Sequence, residues 1–393
     1  MSETGSTHAG EAALARLRAT MPVLQERTYL FAGAMAPLAD PVREELASWN
    51  ARWGEDPMSA FNQHVEDGQR LRTAFAALVG STPDRIAILG STSEGSNRII
   101  GMLASEPRPT VLVDDTTFPT MIYPWLTKTG KQIEYSPPEQ LSDGGWLRAR
   151  LAKGDVLAVA VSHVGNTNGY RHDVAEVAAL ARAYGTRVLV DAAQSAGAIP
   201  IDVDAMGIDV LTTTALKWLL GPPGIGLFYL SAELQEHLPL TDVGYLQAQI
   251  SDNVWPRTEV PNYPTVASSL ELGIPAIPCL AAAAAGIELL SEIGVGTIAG
   301  RIEHLMGTLF PALRDRGLHI VTPDDPARRG GVISARYPRS AELGRFLAAR
   351  RIDIGGFPGG TVRIDPHGYN DEGDVERLLD GVDRFLTTSE GQP

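Results

Sequence analysis

Residues 187–194 read Arg-Val-Leu-Val-Asp-Ala-Ala-Gln, an apolar strand that ends in an acid, with a glutamine three positions further on. Other apolar runs of strand length lie before and after it, and helical stretches such as Val174 to Tyr184 separate most of them. Near-continuous apolar strands that alternate with helices are typical of a mostly parallel sheet covered on both faces. We therefore predict an α/β fold whose large domain has a seven-stranded sheet, with strands at 85–89, 110–113, 132–135, 156–161, 187–190, 210–213 and 226–229.

The pattern on either side of this alternation divides the chain into three parts. They are a tail and helix at 1–20, a large domain at 21–265 and a small C-terminal α+β domain at 266–393. Residues 1–10 are polar and are expected to be disordered, and prolines punctuate a loop-rich stretch at 253–278. The predicted flanking elements are strands at 28–31, 319–321, 331–335 and 361–364, helices at 11–21, 41–53, 59–79, 341–350 and 371–386, and an alanine-rich helix after residue 278.

Composition indicates a globular protein without affinity for nucleic acid or membranes. The 393 residues carry a net charge of −14 and no run of Lys or Arg, which argues against nucleic acid and anionic lipid as partners. The single cysteine, Cys279, excludes an internal disulfide and a cysteine metal cluster. The first ten residues lack the apolar core of a secretory signal, and no apolar run reaches the roughly 18 residues of a membrane span. We expect a cytoplasmic protein.

Lys217 lies between a run of threonines and a Gly/Pro loop, and Trp-Leu-Leu follows it directly. Such apolar neighbours are unusual at a protein surface, so they indicate that Lys217 is buried. Burial would favour a neutral, nucleophilic amine. A lysine amine can hold an aldehyde cofactor as an imine, and a carboxylate such as Asp191 can keep a pyridine nitrogen protonated. The simpler alternatives are a surface lysine and a solvated strand end. The two residues together favour a Schiff-base cofactor site.

Residues 91–95, Ser-Thr-Ser-Glu-Gly, follow a strand and precede an apolar helix. Free backbone N–H groups at a helix N-terminus, together with hydroxyl groups, form an anion site. The alternative is a plain capping box, since Ser91 and Glu94 fit the pattern S-x-x-E.

These segments resemble the class V aminotransferase family of fold type I pyridoxal-phosphate enzymes, over roughly Tyr29 to the last helix. The spacing of Asp191, Gln194 and Lys217, with its Gly/Pro tail, carries the resemblance. The chain looks closest to the branch with kynureninase, isopenicillin N epimerase-like proteins, cysteine desulfurases and ergothioneine-type C–S lyases. The resemblance implies pyridoxal 5′-phosphate as cofactor and a homodimer with the active site at the subunit interface.

The resemblance also implies a role for each matching residue. Lys217 would bond the cofactor and then move the substrate's Cα proton, Asp191 would pair with the ring nitrogen, and Gln194 would contact the phenolic oxygen. The remaining cofactor residues would be Thr92, Ser93 and Thr214 at the phosphate, Asn166 near the cofactor oxygen and the substrate, and Phe118 stacked on the ring.

Two further segments are expected at the substrate. Arg363 matches the arginine that binds the substrate carboxylate, and a planar guanidinium suits that role. The alternative role for Arg363 is a salt bridge with Asp365. For Phe118, the alternative is a position in the hydrophobic core. The small residues Ala32 and Gly33 are expected to leave room for a substrate.

Three departures from the family pattern narrow the reaction. Leu216 stands where a histidine or tyrosine is common, and Ile274, which cannot donate a hydrogen bond from its side chain, stands where a cross-subunit threonine usually holds the phosphate. The loop 354–359 has no nucleophilic cysteine, and Cys279 is expected to be a packing residue. A persulfide-forming cysteine desulfurase is therefore not expected.

The reaction that follows removal of the Cα proton stays open between several classes. We favour elimination of a substrate side chain at Cβ, by cleavage of a C–S or other bond, with transamination next and epimerisation or a kynureninase-like hydrolysis after it. A ligand-sensing module would need an attached DNA-binding domain, and a degenerate enzyme would have lost part of the set Lys217, Asp191 and Arg363. We therefore predict an enzyme.

Overall fold

The computed structural model of the protein describes residues 3–237, 239–246, 248 and 262–388. The helices are α1 Glu3–Ala19, α2 Asp40–Glu55, α3 Pro57–Leu78, α4 Thr92–Met102, α5 Pro138–Leu141, α6 Gly144–Leu151, α7 Val174–Ala183, α8 Ala232–His237, α9 Leu280–Ile293, α10 Val295–Asp315, α11 Ser340–Ala348 and α12 Glu372–Leu386. The strands are β1 Thr28–Tyr29, β2 Ile86–Leu89, β3 Thr110–Asp114, β4 Gln132–Ser136, β5 Val156–Ser162, β6 Arg187–Asp191, β7 Val210–Thr214, β8 Gly226–Leu230, β9 His319–Ile320, β10 Ile333–Arg336, β11 Ile352–Asp353, β12 Gly355–Phe357 and β13 Thr361–Ile364.

The central feature is a seven-stranded sheet in the order β2-β8-β7-β6-β5-β3-β4, which confirms the predicted α/β fold. Only β8 runs antiparallel to its two neighbours within this described sheet, and the other pairs are parallel. All seven residues of β5 are buried, as expected for a strand covered on both faces. The register pairs Ser162 with Asp191 and Asp191 with Thr212, so β5, β6 and β7 end side by side.

The C-terminal part forms a four-stranded antiparallel sheet in the order β12-β13-β10-β9. The sequence predicted three of these strands but treated 354–359 as a loop, which is wrong because β12 lies there. Gly355 and Gly356 gave that segment no strand signal. The structure requires Gly356, since a Cβ atom there would lie 2.3 Å from the carbonyl oxygen of Ser340 in α11.

The N-terminal segment joins the C-terminal part rather than extending away from it. Strand β1 pairs in parallel with β11, and Phe31 forms an isolated bridge with Asp365. Arg18 of α1 donates a 2.7 Å hydrogen bond to the buried carboxylate of Asp374 in α12. Helix α1 begins at Glu3, so the expected disorder of residues 1–10 is wrong for residues 3–10. The helix extends toward the N-terminus beyond the apolar positions on which the prediction of 11–21 was based. Residues 1 and 2 lie outside the described residues.

Helix α9 packs the loop that carries Lys217 against the rest of the large core. Ten of its fourteen residues are buried, and it contacts both α2 and α3. Its alanines and Gly286 permit a close approach, because a Cβ atom at Gly286 would lie 2.7 Å from the carbonyl oxygen of Leu219. Cys279 precedes α9 and is half-buried against the same core, as predicted for a packing residue.

The described part of the predicted loop-rich stretch, residues 262–278, contains two short 3-10 helices, while residues 253–261 lie outside the described residues. Among the described residues, no single helix is long and apolar enough to cross a membrane. Residues 277–293 and 295–315 pass that length and composition test only when they are joined across a 77° bend.

Gly95→Ala tests how closely α4 lies on the sheet. A Cβ atom at Gly95 would lie 2.1 to 2.5 Å from the ring of Phe228 in β8, so we expect overpacking to destabilise the fold by about 1–3 kcal/mol. Gly300→Ala in α10 is the matched control, because no atom lies within 4 Å of its Cβ position. The control should stabilise the protein by about 0.5–1 kcal/mol, since alanine restricts the unfolded chain. Equal urea midpoints for the two variants would contradict the packing.

Candidate active site

A cavity of about 230 Å³ lies at the ends of β5, β6 and β7 and at the start of α4. Ligands of open α/β sheets bind at the carboxyl ends of the strands. Seven of the predicted site residues line it, whereas Ser93, Arg363, Ala32 and Gly33 lie behind or beside it. The lining residues are Gly90, Ser91, Thr92, Phe118, Ser162, Val164, Asn166, Asp191, Ala193, Gln194, Thr214, Leu216, Lys217 and Gly224.

A strained turn presents Lys217 to the cavity. Leu220 has a φ of 58°, a left-handed conformation that costs a non-glycine residue about 1–2 kcal/mol. Its side chain is fully buried in the core, and the N–H of Leu220 donates to the carbonyl oxygen of Lys217, at 3.1 Å. Core packing therefore holds the turn, and the turn fixes the direction in which the lysine leaves the backbone.

The amine of Lys217 is positioned as a nucleophile. Among the described residues none forms a hydrogen bond or an ion pair with its Nζ, which lies 5.9 Å from the centre of the Phe118 ring. Burial lowers the pKa of Lys217, and the negative charge of Asp191 only partly opposes that effect. A lowered pKa increases the fraction of neutral amine near neutral pH.

Asp191 offers a free carboxylate oxygen to the same cavity. Its Oδ1 accepts a 2.9 Å hydrogen bond from the N–H of Ala193, and no described residue donates to its Oδ2. Burial raises the pKa of Asp191, while the Ala193 N–H and Lys217 lower it. A buried carboxylate with one unpaired oxygen is costly unless a donor or a cation meets it, so this side chain suits a protonated ring nitrogen.

The N-terminus of α4 has features of both an anion site and a helix cap, the two interpretations of residues 91–95. The hydroxyl of Ser91 accepts from the N–H of Glu94 at 3.2 Å, so Ser91 caps the helix. The capping box is only half formed, because the Glu94 carboxylate accepts from the N–H of Gly90 at 2.8 Å and not from that of Ser91. The first N–H groups of the helix, those of Thr92 and Ser93, have no intrahelical acceptor and remain available to an anion. The Ser93 hydroxyl lies 3.1 Å from that of Thr120, and the Thr214 hydroxyl donates to the carbonyl of Ile225 at 3.3 Å.

Asn166 joins Gln194 to Arg363. Its Oδ1 accepts hydrogen bonds from Gln194 Nε2 at 2.9 Å and from Arg363 Nη1 at 2.6 Å. Gln194 also donates to the carbonyl of Gly33 and accepts from the indole N–H of Trp218. The structure therefore brings Asn166, Gln194 and Arg363 into one partly buried network.

Arg363 makes the ion pair that the sequence offered as its alternative. Its Nε donates to Asp365 Oδ2 at 2.9 Å, and both side chains are buried. The guanidinium also lies over the ring of Phe31, 4.8 Å from its centre. Asp365 occupies the Nε side, so the end of the guanidinium formed by Nη1 and Nη2 keeps N–H groups that can meet a carboxylate.

Gly33 lies against this ion pair. A Cβ atom there would lie 2.5 Å from Asp365 Oδ2 and 2.6 Å from Gln194 Oε1, so only glycine fits. Ala32 is fully buried in the core. Both residues thus lie beside the polar network rather than on the wall of the cavity.

A buried acid–histidine pair, absent from the sequence prediction, supports the turn that carries Phe118. Asp114 Oδ2 lies 2.8 Å from His172 Nε2, and its Oδ1 accepts from the N–H and the hydroxyl of Thr116 at 2.6 and 2.8 Å. Phe118 keeps 45% of its surface exposed, which contradicts the alternative of a core phenylalanine. The signal was present, because Asp114 ends its strand as Asp191 ends β6.

A second buried histidine packs under the lysine loop. His367 stacks between Trp218 and Tyr369, with ring centres 5.6 and 4.8 Å away, and its Nε2 lies 3.2 Å from the carbonyl oxygen of Trp218. Burial lowers the pKa of His367 to about 4. The neutral ring therefore supports the residue that follows Lys217.

Comparison with known proteins agrees with this geometry. The family model described as aminotransferase class-V matches residues 28–378. The chain belongs to the aminotransferase class-V family. This confirms the family predicted from the sequence and, with it, an enzyme of this pyridoxal-phosphate-dependent family.

The curated relatives carry several activities. The chain is 26% identical to an uncharacterized aminotransferase, YcbU, of Bacillus subtilis, over 93% of this chain and 96% of that protein. It is 27% identical to isopenicillin N epimerase of Streptomyces clavuligerus, over 89% and 93%. Because such relatives differ in reaction, membership of the family leaves the reaction of this chain open.

Solved structures confirm the fold. The apo structure of a cysteine desulfurase from Thermococcus onnurineus has a TM-score of 0.84 at 23% identity, covering 94% of this chain and 97% of that one. A variant of C-DES with glycine covalently linked to its PLP cofactor has a TM-score of 0.83 at 22% identity, covering 93% and 98%.

His367→Phe tests the neutral histidine under the lysine loop. The folded state resists protonation until about pH 4, whereas an unfolded histidine takes up a proton near pH 6.5. Lowering the pH from 6.5 to 4 therefore favours unfolding, by up to about 1.4 kcal/mol per pH unit. Phenylalanine can keep the ring stack but has no group that takes up a proton on unfolding. The unfolding free energy of the variant should therefore fall less steeply over that window. His319→Phe, at an exposed position, is the control for the loss of one imidazole. If the unfolding free energy fell equally steeply with pH in all three proteins, His367 would not be the buried neutral group.

Proposed function

We propose that this protein binds pyridoxal 5′-phosphate on Lys217 and eliminates a side-chain group from Cβ of an L-α-amino acid, most readily a thiolate. The observation that supports the cofactor is the convergence on one cavity of an unpaired lysine amine, a carboxylate with a free oxygen and a helix N-terminus. The amine binds an aldehyde, the carboxylate matches a ring nitrogen and the helix N-terminus matches a phosphate.

Each of these residues would contact a different part of the cofactor. The first turn of α4, with Thr92 and Ser93, would meet the phosphate, and the Thr214 hydroxyl could still accept a hydrogen bond there. Asp191 Oδ2 would accept from the ring nitrogen, and the exposed ring of Phe118 would cover one face. Gln194 would contact the phenolic oxygen only by sharing its Nε2, because Gly33 and Asn166 already accept from it. The bound cofactor supplies an electron sink for the charge left at Cα.

Arg363 and Asn166 would orient the substrate. The Nη1 and Nη2 end of the guanidinium would bind the α-carboxylate, while Asp365 holds the Nε side and Phe31 fixes the plane. Bidentate pairing of this kind sets direction as well as affinity. The Cα–H bond would thereby be held toward the amine of Lys217.

Elimination is favoured by what surrounds Lys217. The described residues that line the cavity include no histidine, tyrosine or cysteine, and Leu216 is apolar. Asp191 also lines the cavity, but in this proposal it would hold the ring nitrogen, which leaves Lys217 as the lining residue that would move protons at the substrate. A leaving group that departs as an anion needs no second acid, and a thiol, with a pKa near 8.5, is such a group. This chemistry favours C–S cleavage over the hydrolysis of a C–C bond.

A persulfide-forming desulfurase is not proposed. Strand β12 and the turn after it carry no thiol at 354–359. Burial raises the pKa of the Cys279 thiol, which makes it a poor nucleophile.

Transamination is the second candidate. The relative YcbU is named an aminotransferase, and the match spans nearly the whole of both chains. In that reaction Lys217 would return the Cα proton to the cofactor, and no leaving group would depart from the substrate.

We also propose a homodimer. Trp53, Met58, Phe61 and Val65 form an exposed apolar face at the end of α2 and along α3. Ile274 is 42% exposed, and its loop passes close to the cavity, since Ala276 Cβ would lie 3.6 Å from a Cβ atom at Gly224. A second copy that covers both surfaces would bring this loop to the partner's cavity.

Lys217→Ala tests the cofactor. The chain has four lysines, at 128, 131, 153 and 217. Borohydride reduction of the yellow wild-type protein should abolish its visible absorption and leave a pyridoxyl group on the peptide that contains Lys217. The variant should take up no reducible cofactor and have no activity, while Lys128→Ala, an exposed position, should behave as wild type. A label on another lysine, or a wild-type protein that stays colourless with added pyridoxal phosphate, would sink the proposal.

A product assay tests the reaction. Incubation with S-substituted cysteines, kynurenine, alanine and glutamate should release pyruvate and ammonia from the cysteine derivatives, in many turnovers per site. Lys217→Ala controls for breakdown by free cofactor. Stoichiometric conversion of the cofactor to pyridoxamine phosphate without pyruvate would instead establish the aminotransferase.

A further inference from the structure

A second cavity, of about 480 Å³, lies between residues 24–28, the turn 350–352 and the face of α12 formed by 377–384. It shares no lining residue with the candidate active site. In a chain with a net charge of −14, its charged lining is dominated by arginine, with Glu26 and Asp380 as the acids. The arginines are Arg18, Arg27, Arg350, Arg351, Arg377 and Arg384.

Three of the arginines hold the walls together. Arg27 pairs with Asp353 through two 2.7 Å hydrogen bonds. Arg18 and Arg377 both bind the fully buried carboxylate of Asp374, at 2.7 and 2.5 Å. These groups fix the segments that frame the cavity, and their charges are largely neutralised.

The other three arginines lack firm partners. The guanidinium of Arg384 forms no hydrogen bond or ion pair with any residue that the structure describes, and only the backbone carbonyl of Arg384 accepts hydrogen bonds, from the N–H and the hydroxyl of Thr387. Arg350 donates to the carbonyl of Phe346 at 3.0 Å and lies over that residue's ring. Arg351 pairs with Glu26 at 2.8 Å, but the side chains are 61% and 71% exposed, and exposed pairs of this kind are weak.

The backbone of Arg351 gives a second, independent indication. Its φ is 61°, so it lies in the left-handed region just after α11, where glycine is the usual residue. Within the described chain, the other non-glycine residue with a positive φ is Leu220, in the Lys217 turn. A side chain kept at a strained position commonly has a function, and here that side chain is a guanidinium at the cavity.

We propose that this cavity binds a small anion with two or more phosphate groups, held by Arg350, Arg351 and Arg384. Planar guanidinium groups match phosphate oxygens in bidentate pairs, and several of them around one cavity favour a multiply charged ligand. The volume lies in the range of small-molecule sites, and the paired arginines already hold its walls.

Isothermal titration calorimetry with inorganic pyrophosphate, at constant ionic strength, tests the site. The protein is used with pyridoxal phosphate bound, so that the cofactor's phosphate position is not open to the probe. One saturable site is expected in wild type. The double variant Arg350→Ser/Arg384→Ser should weaken binding at least about tenfold, because each lost fork removes charge-assisted hydrogen bonds.

The matched control is Arg43→Ser/Arg345→Ser, which removes the same charge from exposed positions outside the cavity. It should bind pyrophosphate as wild type does, and thermal unfolding should confirm that both double variants are folded. Absence of saturable binding in wild type, or equal weakening in the two double variants, would overturn the proposal.

Discussion

One oxygen atom, Oδ1 of Asn166, links the seven-stranded sheet to the four-stranded sheet. It accepts a hydrogen bond from Gln194, which follows strand β6 of the large sheet, and another from Arg363 in strand β13 of the small one. The side chains of Gln194 and Arg363 are buried, so a donor that turned away would lose a hydrogen bond that water could not readily replace. The position of Arg363 relative to Lys217 is therefore fixed by hydrogen bonds within the chain, before any substrate arrives.

The charges of the site follow from the same requirement. Burial raises the pKa of Asp191 and of Asp365 and lowers that of Lys217. Asp365 has Arg363 as its partner, whereas one oxygen of Asp191 and the amine of Lys217 have no partner among the described residues. The described residues thus pair the guanidinium of Arg363, whereas the amine of Lys217 and one oxygen of Asp191 stay open to the cavity. That difference is the physical basis for proposing the cofactor site.

The sequence predicted what depends on local pattern. Most strands of the large sheet are buried apolar runs, although the edge strand β4, Gln-Ile-Glu-Tyr-Ser, is largely polar. Asp191 and Lys217 were recognisable from their immediate neighbours. The pairing of Asp114 with His172 joins residues far apart in the chain, which a sequence pattern does not bring together. The ion pair between Arg363 and Asp365 joins residues two positions apart, so the sequence offered it as an alternative, but only the tertiary structure decides between that pair and a free arginine. Strand β12 was missed because its glycines are required by contact with α11, a tertiary constraint that leaves no apolar alternation. The early start of α1 likewise has no periodic signal.

The pairing of β1 with β11 has a consequence for how the protein is made. Thr28 and Ile352 stand near opposite ends of the chain, so β1 has no partner until most of the polypeptide has left the ribosome. Contacts between such distant residues form slowly, because a large loop must close first. Phe31 and Gly33, which directly follow β1, can reach Arg363 and Asp365 only after that closure. The large sheet can be complete earlier, so the part of the candidate site around Arg363 would be the last to assemble on each newly synthesised chain.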